Sequence, residues 1–179
     1  EHFVKENDSI MIDSSSTCYQ LAKKIIDSGM NVTIITNSLK IMELFDKQQP
    51  NARLIGIGGK FRSKSCSFVG DTAVKEIESY LVDKCFISTS ALDPVHGLID
   101  SSSQECQIHK KILEHSKYHY VLADHTKFSA RADYIVSELK NLNSVITDCK
   151  SDPMWDRIFE ELNVDFMYGF NLHGFTEVD

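Results

Sequence analysis

The chain has 179 residues, of which 42% are hydrophobic and 25% are charged, as is ordinary for a globular protein of one domain. Its formal net charge of −7 disfavours direct binding to a nucleic-acid backbone, which requires clustered lysine and arginine. We expect neither a membrane span nor a signal peptide, because no apolar run approaches the roughly 18 residues that a span needs.

Apolar periodicity predicts strands and helices that alternate along the chain. Strands are predicted at residues 10–13, 31–36, 53–57, 84–89, 118–123, 134–136, 145–147 and 164–167. Helices are predicted at residues 18–26, 39–45, 70–80, 103–116 and 151–162. The stretch between Gly59 and Val69 is predicted to be irregular, and the stretch with Pro94 and Gly97 is predicted to be a loop.

This alternation indicates an α/β fold, in which a mostly parallel sheet is covered by helices on both faces in a Rossmann-like arrangement. We expect one domain over residues 1–179, with a small subdomain at about 129–147. In such sheets ligands bind beyond the carboxyl ends of the strands. That rule directs attention to the loops that follow the strands.

These loops are all polar or rich in glycine, at residues 13–17, 36–38, 58–60, 89–90 and 124–127. A scaffold needs turns at these points, but it does not need hydroxyls, amides, glycines and a lysine at every one of them. The sequence therefore predicts a ligand site at this edge of the sheet. Lys127 is predicted to reach across the edge toward the first loop, with Asp124 beside it.

The first of these loops carries hydroxyl groups at the start of a predicted helix. Asp13 is followed by Ser14, Ser15, Ser16 and Thr17. The first amide groups of a helix lack intrahelical partners and carry partial positive charge, so this corner suits a phosphate or a carboxylate. Serine and threonine are also common N-caps, which is the structural alternative.

Further candidate residues each have a structural alternative that stays open. Gly58 and Gly59 allow the backbone to approach a ligand closely, or they form a turn. Lys60 and Arg62 either neutralise an anion or are solvated surface charges. His125 either contacts the ligand or is simply exposed.

The amide of Asn37 and the hydroxyl of Ser38 also follow a strand and are candidates, although they equally suit the cap of the next helix. Asp100 precedes the fourth predicted helix, whose N-terminus points either at the ligand or at solvent. Glu105 lies one turn before His109 on this helix, so the two share a face, where a surface pair is the default interpretation.

No catalytic or metal-binding residue is predicted. The serines at positions 14–16 lack a GxSxG elbow, and no His/Asp pair is placed for a triad. His115, His119 and His125 straddle a helix end, a strand and a loop, so we do not expect them to share a metal. Five scattered cysteines without a CxxC pair indicate buried thiols in a reducing compartment, which we take to be the cytoplasm.

Several motifs together resemble the C-terminal effector-sensing domain of the DeoR family of bacterial transcriptional repressors. The matching segments follow one another in the expected order at residues 12–17, 35–39, 58–60, 69–70, 83–88, 97–98, 122–128 and 146–148. No single motif is decisive, but their joint order and spacing cover nearly the whole chain. The resemblance implies a fold similar to ribose-5-phosphate isomerase and the coenzyme A transferases.

The resemblance also implies a function. Members of this family bind a phosphorylated sugar or related metabolite, which alters DNA binding by an N-terminal winged helix-turn-helix domain. That domain is absent from the 179 residues, so we expect a sensing domain on its own that forms a homodimer or homotetramer and needs no cofactor. The implied effector site comprises residues 13–17, Asn37, Ser38, Gly58, Gly59, Lys60, Arg62, Asp100, Glu105, Asp124, His125 and Lys127.

An active sugar-phosphate isomerase on the same fold is the alternative function. The two catalytic motifs of those enzymes fall on residues 90–94 and 100–103, and their catalytic glutamate falls at or near His109. An acid replaces the catalytic lysine, whereas the late lysine survives as Lys127. Binding without turnover is therefore predicted, but a slip of a few residues in this alignment returns Glu105 to the position of the base.

A module that only oligomerises, without any ligand, is a third alternative. It predicts that no sugar phosphate stabilises the chain.

Overall fold

A computed structural model of the chain describes residues 3–48, 50–150 and 152–169. The helices are α1 (Ser16–Asp27), α2 (Leu39–Gln48), α3 (Asp71–Ile77), α4 (Ser103–Glu114) and α5 (Pro153–Leu162). The strands are β1 (Ser9–Ile12), β2 (Thr33–Thr36), β3 (Arg53–Gly56), β4 (Lys60–Arg62), β5 (Ser67–Val69), β6 (Val82–Ile87), β7 (Ala91–Asp93), β8 (Gly97–Asp100), β9 (Ser116–Leu122), β10 (Tyr134–Ser137), β11 (Ser144–Ile146) and β12 (Asp165–Met167). Ser151 of the last predicted helix and the tail at 170–179 lie outside the described residues.

Seven of these strands form one parallel sheet in the order β12-β11-β9-β6-β1-β2-β3. Each neighbouring pair is parallel, and Ile10 at the centre lies between Ile34 of β2 and Lys84 of β6. The predicted α/β class with a parallel sheet is confirmed. Because the strands all run in one direction, the loops that follow them meet at the same edge.

Helices cover both faces of the sheet because alternate side chains of each buried strand point to opposite faces. On β1, Ile10 and Ile12 pack in the cluster that contains α1 and the start of α2, whereas Met11 packs in the cluster that contains α3, α4 and α5. Trp155 of α5 is fully buried in the second cluster. Full burial of an aliphatic side chain such as Ile10 or Ile12 contributes roughly 1.5–3 kcal/mol to the free energy of unfolding.

Two small antiparallel sheets replace stretches that were predicted to be irregular or loop, so those two predictions are wrong. Strands β4 and β5 form a hairpin, and β7, β8 and β10 form a three-stranded sheet in the order β10-β8-β7. Strands of three or four residues offer too few alternations to give a periodic signal. Within the range 129–147, β10 belongs to the three-stranded sheet and β11 belongs to the main seven-stranded sheet.

Gly97 at the start of β8 shows why this small sheet depends on its sequence. Its φ is +82°, and a Cβ atom added there would lie 2.1 Å from the carbonyl oxygen of Ser137. Only glycine permits both the positive φ and the close approach of the end of β10.

The five cysteines are all free thiols. Cys18, Cys85 and Cys106 are buried as expected, whereas Cys66 is half-buried and Cys149 is exposed. Burial raises the pKa of the Cys85 thiol to about 12. Among the described residues, no helix combines the length and apolar character that crossing a membrane requires.

Candidate functional site

A cavity of about 360 Å³ opens at the carboxyl edge of the main sheet. Loops after β1, β6 and β9 form its walls together with the first turns of α1, α2 and α4 and the turn of the β4–β5 hairpin. The lining residues are mostly hydroxyl-bearing or charged: Asp13, Ser14, Ser15, Ser16, Thr17, Lys40, Lys64, Ser65, Ser88, Thr89, Ser90, Asp100, Glu105, His109, Asp124 and Lys127.

The loop after β1, residues 13–17, is the hydroxyl corner of the cavity. One of its residues caps α1, and others carry donors that have no partner in the part of the chain that the structure describes. Ser15 is the N-cap of α1, since its Oγ accepts a hydrogen bond from the amide of Cys18 at 3.1 Å and donates one to Asp13 Oδ1 at 2.6 Å. The amides of Ser16 and Thr17 have no hydrogen-bond partner within the described ranges. Capping therefore accounts for Ser15, while the next two amides remain available to an anion in the cavity.

A buried chain of charged groups, Asp13–His109–Asp100, forms the floor of the cavity. Nε2 of His109 lies 3.2 Å from Asp13 Oδ2, and Nδ1 lies 2.7 Å from Asp100 Oδ2. Asp13 also accepts hydrogen bonds from the amides of Ser15 at 2.9 Å and Ser88 at 2.6 Å. With the Ser15 hydroxyl, these contacts fill the hydrogen-bonding capacity of the Asp13 carboxylate.

This arrangement favours the charged forms of Asp13 and His109. Burial lowers the pKa of His109, but the charge and hydrogen bond of Asp100 and the contact with Asp13 raise it well above its usual value. Burial likewise raises the pKa of Asp13, but His109, Ser15 and the amide of Ser88 bring it below its usual value. His109 is therefore an imidazolium whose two N–H groups both donate to carboxylates, and neither nitrogen is a free base.

An ion pair joins the β4–β5 hairpin to helix α4 at the cavity wall. The guanidinium of Arg62 lies 3.1 Å from Glu105 Oε1, and it donates to the hydroxyl of Ser65 at 2.9 Å. Ser65 Oγ in turn lies 2.8 Å from Ser67 Oγ. These contacts hold the hairpin turn, with Ser65, against the cavity.

Three lysines line the cavity from different elements. Lys40 lies in the first turn of α2, Lys64 lies in the β4–β5 turn, and Lys127 ends the 3-10 turn at His125–Lys127. In the described part of the chain none of the three is in an ion pair. The cavity therefore combines open amide and hydroxyl donors with lysine ammonium groups that are in no described ion pair, a combination that suits an anionic group of a ligand.

The family of the chain follows from its similarity to known proteins. A family model described as the DeoR C terminal sensor domain matches residues 1–149. The chain belongs to this family. Members of the family with curated names are transcriptional regulators, so the predicted resemblance is confirmed.

Two relatives of this DeoR-type sensor domain come from Bacillus subtilis. The HTH-type transcriptional regulator YulB is 33% identical over 163 residues, and IolR, of the same description, is 33% identical over 161 residues. Each alignment covers 90% of this chain and 62% of the relative, so the chain spans less than two thirds of their length. A ribose 5-phosphate isomerase A from Neisseria gonorrhoeae superposes with a TM-score of 0.49 at 16% identity, covering 73% of this chain and 49% of the isomerase.

The structure brings nine of the residues predicted for the effector site of the DeoR-type domain together around the cavity. They are Asp13, Ser14, Ser15, Ser16, Thr17, Asp100, Glu105, Asp124 and Lys127. Glu105 shares a face of α4 with His109, which was not predicted for the site, and both residues line the cavity.

The other predicted residues lie outside the cavity lining, and several have structural partners. Asn37 is buried and donates to the carbonyl of Phe68 at 2.8 Å, and Ser38 caps α2 through the amide of Ile41 at 3.4 Å. Arg62 stands behind Glu105 as its ion-pair partner. His125 faces Asp148, with Nδ1 2.7 Å from Oδ2.

The predicted glycine and lysine run after β3 is likewise directed away from the cavity. The amide of Gly58 donates to Glu76 Oε2 at 2.7 Å. Gly59 has a φ of +142°, and a Cβ atom there would lie 2.9 Å from the carbonyl oxygen of Val69. Lys60 is exposed on β4. Close packing against Val69, rather than a ligand, accounts for Gly59.

Seven lining residues were not among the predicted site residues: Lys40, Lys64, Ser65, Ser88, Thr89, Ser90 and His109. The sequence did point to Thr89 and Ser90, because they lie at the carboxyl end of a predicted strand. It also pointed to His109, because this residue shares a helix face with Glu105. It gave no signal for Lys40 and Lys64, since the cavity position of each depends on how α2 and the unpredicted hairpin pack.

The histidines predicted not to share a metal have separate hydrogen-bond partners. Nδ1 of His115 contacts the carbonyl of Tyr80 at 3.1 Å, and Nδ1 of His119 contacts the carbonyl of Asn141 at 2.7 Å. His125 pairs with Asp148. The side chains that line the cavity itself are mostly cations, hydroxyls and carboxylates.

Proposed function

We propose that this sensor domain binds a phosphorylated sugar in the cavity and does not convert it chemically. The observation that carries the proposal is that the open N-terminus of α1, with Ser16 and Thr17, lies in the same cavity as Lys40, Lys64 and Lys127. A helix N-terminus and lysines together provide what a phosphate dianion needs, namely directed N–H donors and positive charge.

The phosphate is assigned to the hydroxyl corner. Ser14 and Ser16 are part of this corner, and neither is used as the helix cap, unlike Ser15. Lys127 comes from the loop after β9 and adds positive charge to the same cavity. Capping by Ser15 holds the corner in place, which lets the neighbouring donors act on the ligand without a rearrangement.

The sugar hydroxyls are assigned to the acidic part of the cavity. Asp100 and Glu105 line it beside His109, and Asp124 lines it near Lys127. Carboxylates accept hydrogen bonds from hydroxyl groups, and a site built to bind them discriminates against ligands that lack them. Asp13 is not assigned to the sugar, because its oxygens already accept hydrogen bonds from Ser15, Ser88 and His109. Its role is to hold the floor of the cavity.

Binding without turnover is supported by the state of the groups near the predicted catalytic position. Aldose–ketose isomerisation needs a base that moves a proton between adjacent carbons. His109 is held between two carboxylates, and Glu105 is paired with Arg62 at 3.1 Å. Neither group is an unencumbered base, which favours the sensor over the isomerase.

The remaining partners belong to the proposal too. We assign operator-DNA binding to a helix-turn-helix domain outside these 179 residues, which the names of the HTH-type relatives support. The acidic charge of −7 is in keeping with that division of labour. Assembly into a homodimer or homotetramer stays a prediction from the family resemblance, and the cytoplasmic location stays a prediction from the cysteines.

A thermal-shift screen tests the proposal. The chain is heated with pentose, hexose and triose phosphates and with their unphosphorylated counterparts. A bound ligand at 100 times its Kd stabilises the folded state by about 2.7 kcal/mol. We expect stabilisation by at least one sugar phosphate and none by its unphosphorylated form. Stabilisation by neither form would favour a module that only oligomerises.

A further inference from the structure

A second group of potential ligands lies next to the effector cavity but outside its lining. His125, Asp148 and Cys149 each offer one ligand atom, and these three atoms all lie within 4.8 Å of one another. His125 follows β9 and the other two residues follow β11, so neighbouring strands of the main sheet bring them together. The cavity does not use any of the three.

We propose that His125, Asp148 and Cys149 bind a divalent transition-metal ion, with zinc as the expected occupant. An imidazole nitrogen, a carboxylate oxygen and a thiolate are three ligand types that zinc accepts, and three protein ligands with water in the fourth position form a common tetrahedral site. Magnesium and calcium prefer sites made only of oxygen atoms, so the thiol argues against them.

The hydrogen bonds around Asp148 already orient this ligand. Asp148 Oδ1 accepts from the amide of His125 at 2.7 Å and from the hydroxyl of Thr147 at 3.1 Å. The other oxygen, Oδ2, lies 2.7 Å from Nδ1 of His125. The two bonds to Oδ1 persist when Oδ2 binds a metal, so they fix the ligating carboxylate, as the outer shell of a metal site does. In the complex the metal takes the place of the proton between Nδ1 and Oδ2.

The third ligand and the route of entry are both on the surface. The side chain of His125 is 57% exposed, and Cys149 is exposed. Tetrahedral metal bonds of about 2.0–2.3 Å leave the ligand atoms roughly 3.3–3.7 Å apart. Nδ1 of His125 and Oδ2 of Asp148, now 2.7 Å apart, must therefore separate to admit the ion, which rotation of the exposed His125 side chain allows. Binding releases the thiol proton and the imidazole proton to solvent, so the zinc charge is balanced by one thiolate and one carboxylate.

A metal at this position ties together the loops after β9 and β11. The first of these loops also carries Asp124 and Lys127, which line the effector cavity. The bound ion therefore fixes a wall of that cavity, although the metal site stands independently of any effector.

The test is a titration of the 179-residue chain with Co²⁺, which replaces zinc and gives a sulfur-to-cobalt charge-transfer band in the near ultraviolet. We expect the wild-type chain to show this band with one equivalent of metal. Cys149→Ser and His125→Gln are each expected to lose it. Cys66→Ser is the matched control, because this half-buried thiol lies in the β4–β5 turn and should leave the band intact.

Heating with Zn²⁺ supplies a second readout, since a metal that binds only the folded state raises the Tm of the wild type and of Cys66→Ser but not of Cys149→Ser. The proposal is overturned by absence of the band in a folded wild-type chain, by its survival in both ligand variants, or by its loss in the Cys66 control.

Discussion

Asp13 Oδ2 lies 3.2 Å from Nε2 of His109, although the first residue follows β1 and the second lies in α4. Asp100 completes the arrangement at 2.7 Å from the other imidazole nitrogen. Both carboxylates and the imidazolium are buried, so each charge depends on the others for its stability. This relationship ties the floor of the cavity to the hydrophobic core and leads to the first two predictions.

Replacing His109 with glutamine should destabilise the fold strongly. The variant leaves two buried carboxylates without a cation, and loss of one partner from a buried ion pair typically costs about 3–5 kcal/mol. The free energy of unfolding is measured by urea denaturation. His96→Gln is the control, because His96 pairs with Asp93 at an exposed position and should change stability by no more than about 0.5 kcal/mol. Equal stability losses in the two variants would contradict the role assigned to His109.

The stabilisation from His109 should depend on pH. Its pKa is raised in the folded state, so its contribution is fully present below the ordinary value of 6.5 and is lost as the pH rises through the folded value. The difference in unfolding free energy between the wild type and His109→Gln should therefore shrink as the pH increases above 6.5. Denaturation curves over this range measure it, and a difference that grows with pH would refute the assignment of an imidazolium.

Ser16→Glu should abolish stabilisation by a sugar phosphate. The new carboxylate occupies the N-terminus of α1, where the phosphate is proposed to bind, while the cap formed by Ser15 is kept. Ser15→Glu is a poorer variant, since it removes that cap. Thr72→Glu is the matched control because it places the same carboxylate in the first turn of α3, away from the cavity. Thermal shifts with and without ligand measure the effect, and an unchanged shift in Ser16→Glu would place the phosphate elsewhere.

Lys127→Gln should weaken sugar-phosphate binding without unfolding the domain. Hydrogen bonds to charged groups contribute about 1.5–3 kcal/mol, so the Kd should rise by the corresponding factor. Isothermal titration calorimetry measures it. Lys47→Gln is the control, since this exposed lysine of α2 pairs with Glu43 and lies outside the cavity lining. If both variants bind as the wild type does, Lys127 does not contact the ligand.

The chain should not isomerise ribose 5-phosphate. The group nearest the predicted catalytic position, His109, has both nitrogens engaged by carboxylates, and Glu105 is paired with Arg62. A coupled assay for ribulose 5-phosphate measures turnover. Activity that disappears in Glu105→Gln would make Glu105 the base and would replace the sensor by the isomerase.

Local patterns in the sequence were enough to predict much of the fold. Apolar residues repeat with a period of two in the long strands and of 3.6 in the helices, which identified these elements. The rule for parallel sheets then predicted that Asp13, Ser16, Asp124 and Lys127 lie at one edge. The motif order also identified the family. Each of these conclusions rests on neighbours in sequence or on a general property of parallel strands.

Tertiary structure decided which polar residues face the cavity. His109 lies between Asp13 and Asp100, and Lys64 reaches the cavity on a hairpin whose three-residue strands have no periodic signal. Gly59, predicted to approach a ligand, instead lies against the carbonyl of Val69. These contacts join residues far apart in the chain, so they depend on how whole elements pack and leave no local pattern to find. The sequence by itself determined the edge of the sheet at which the cavity opens, and only packing determined which charges meet there.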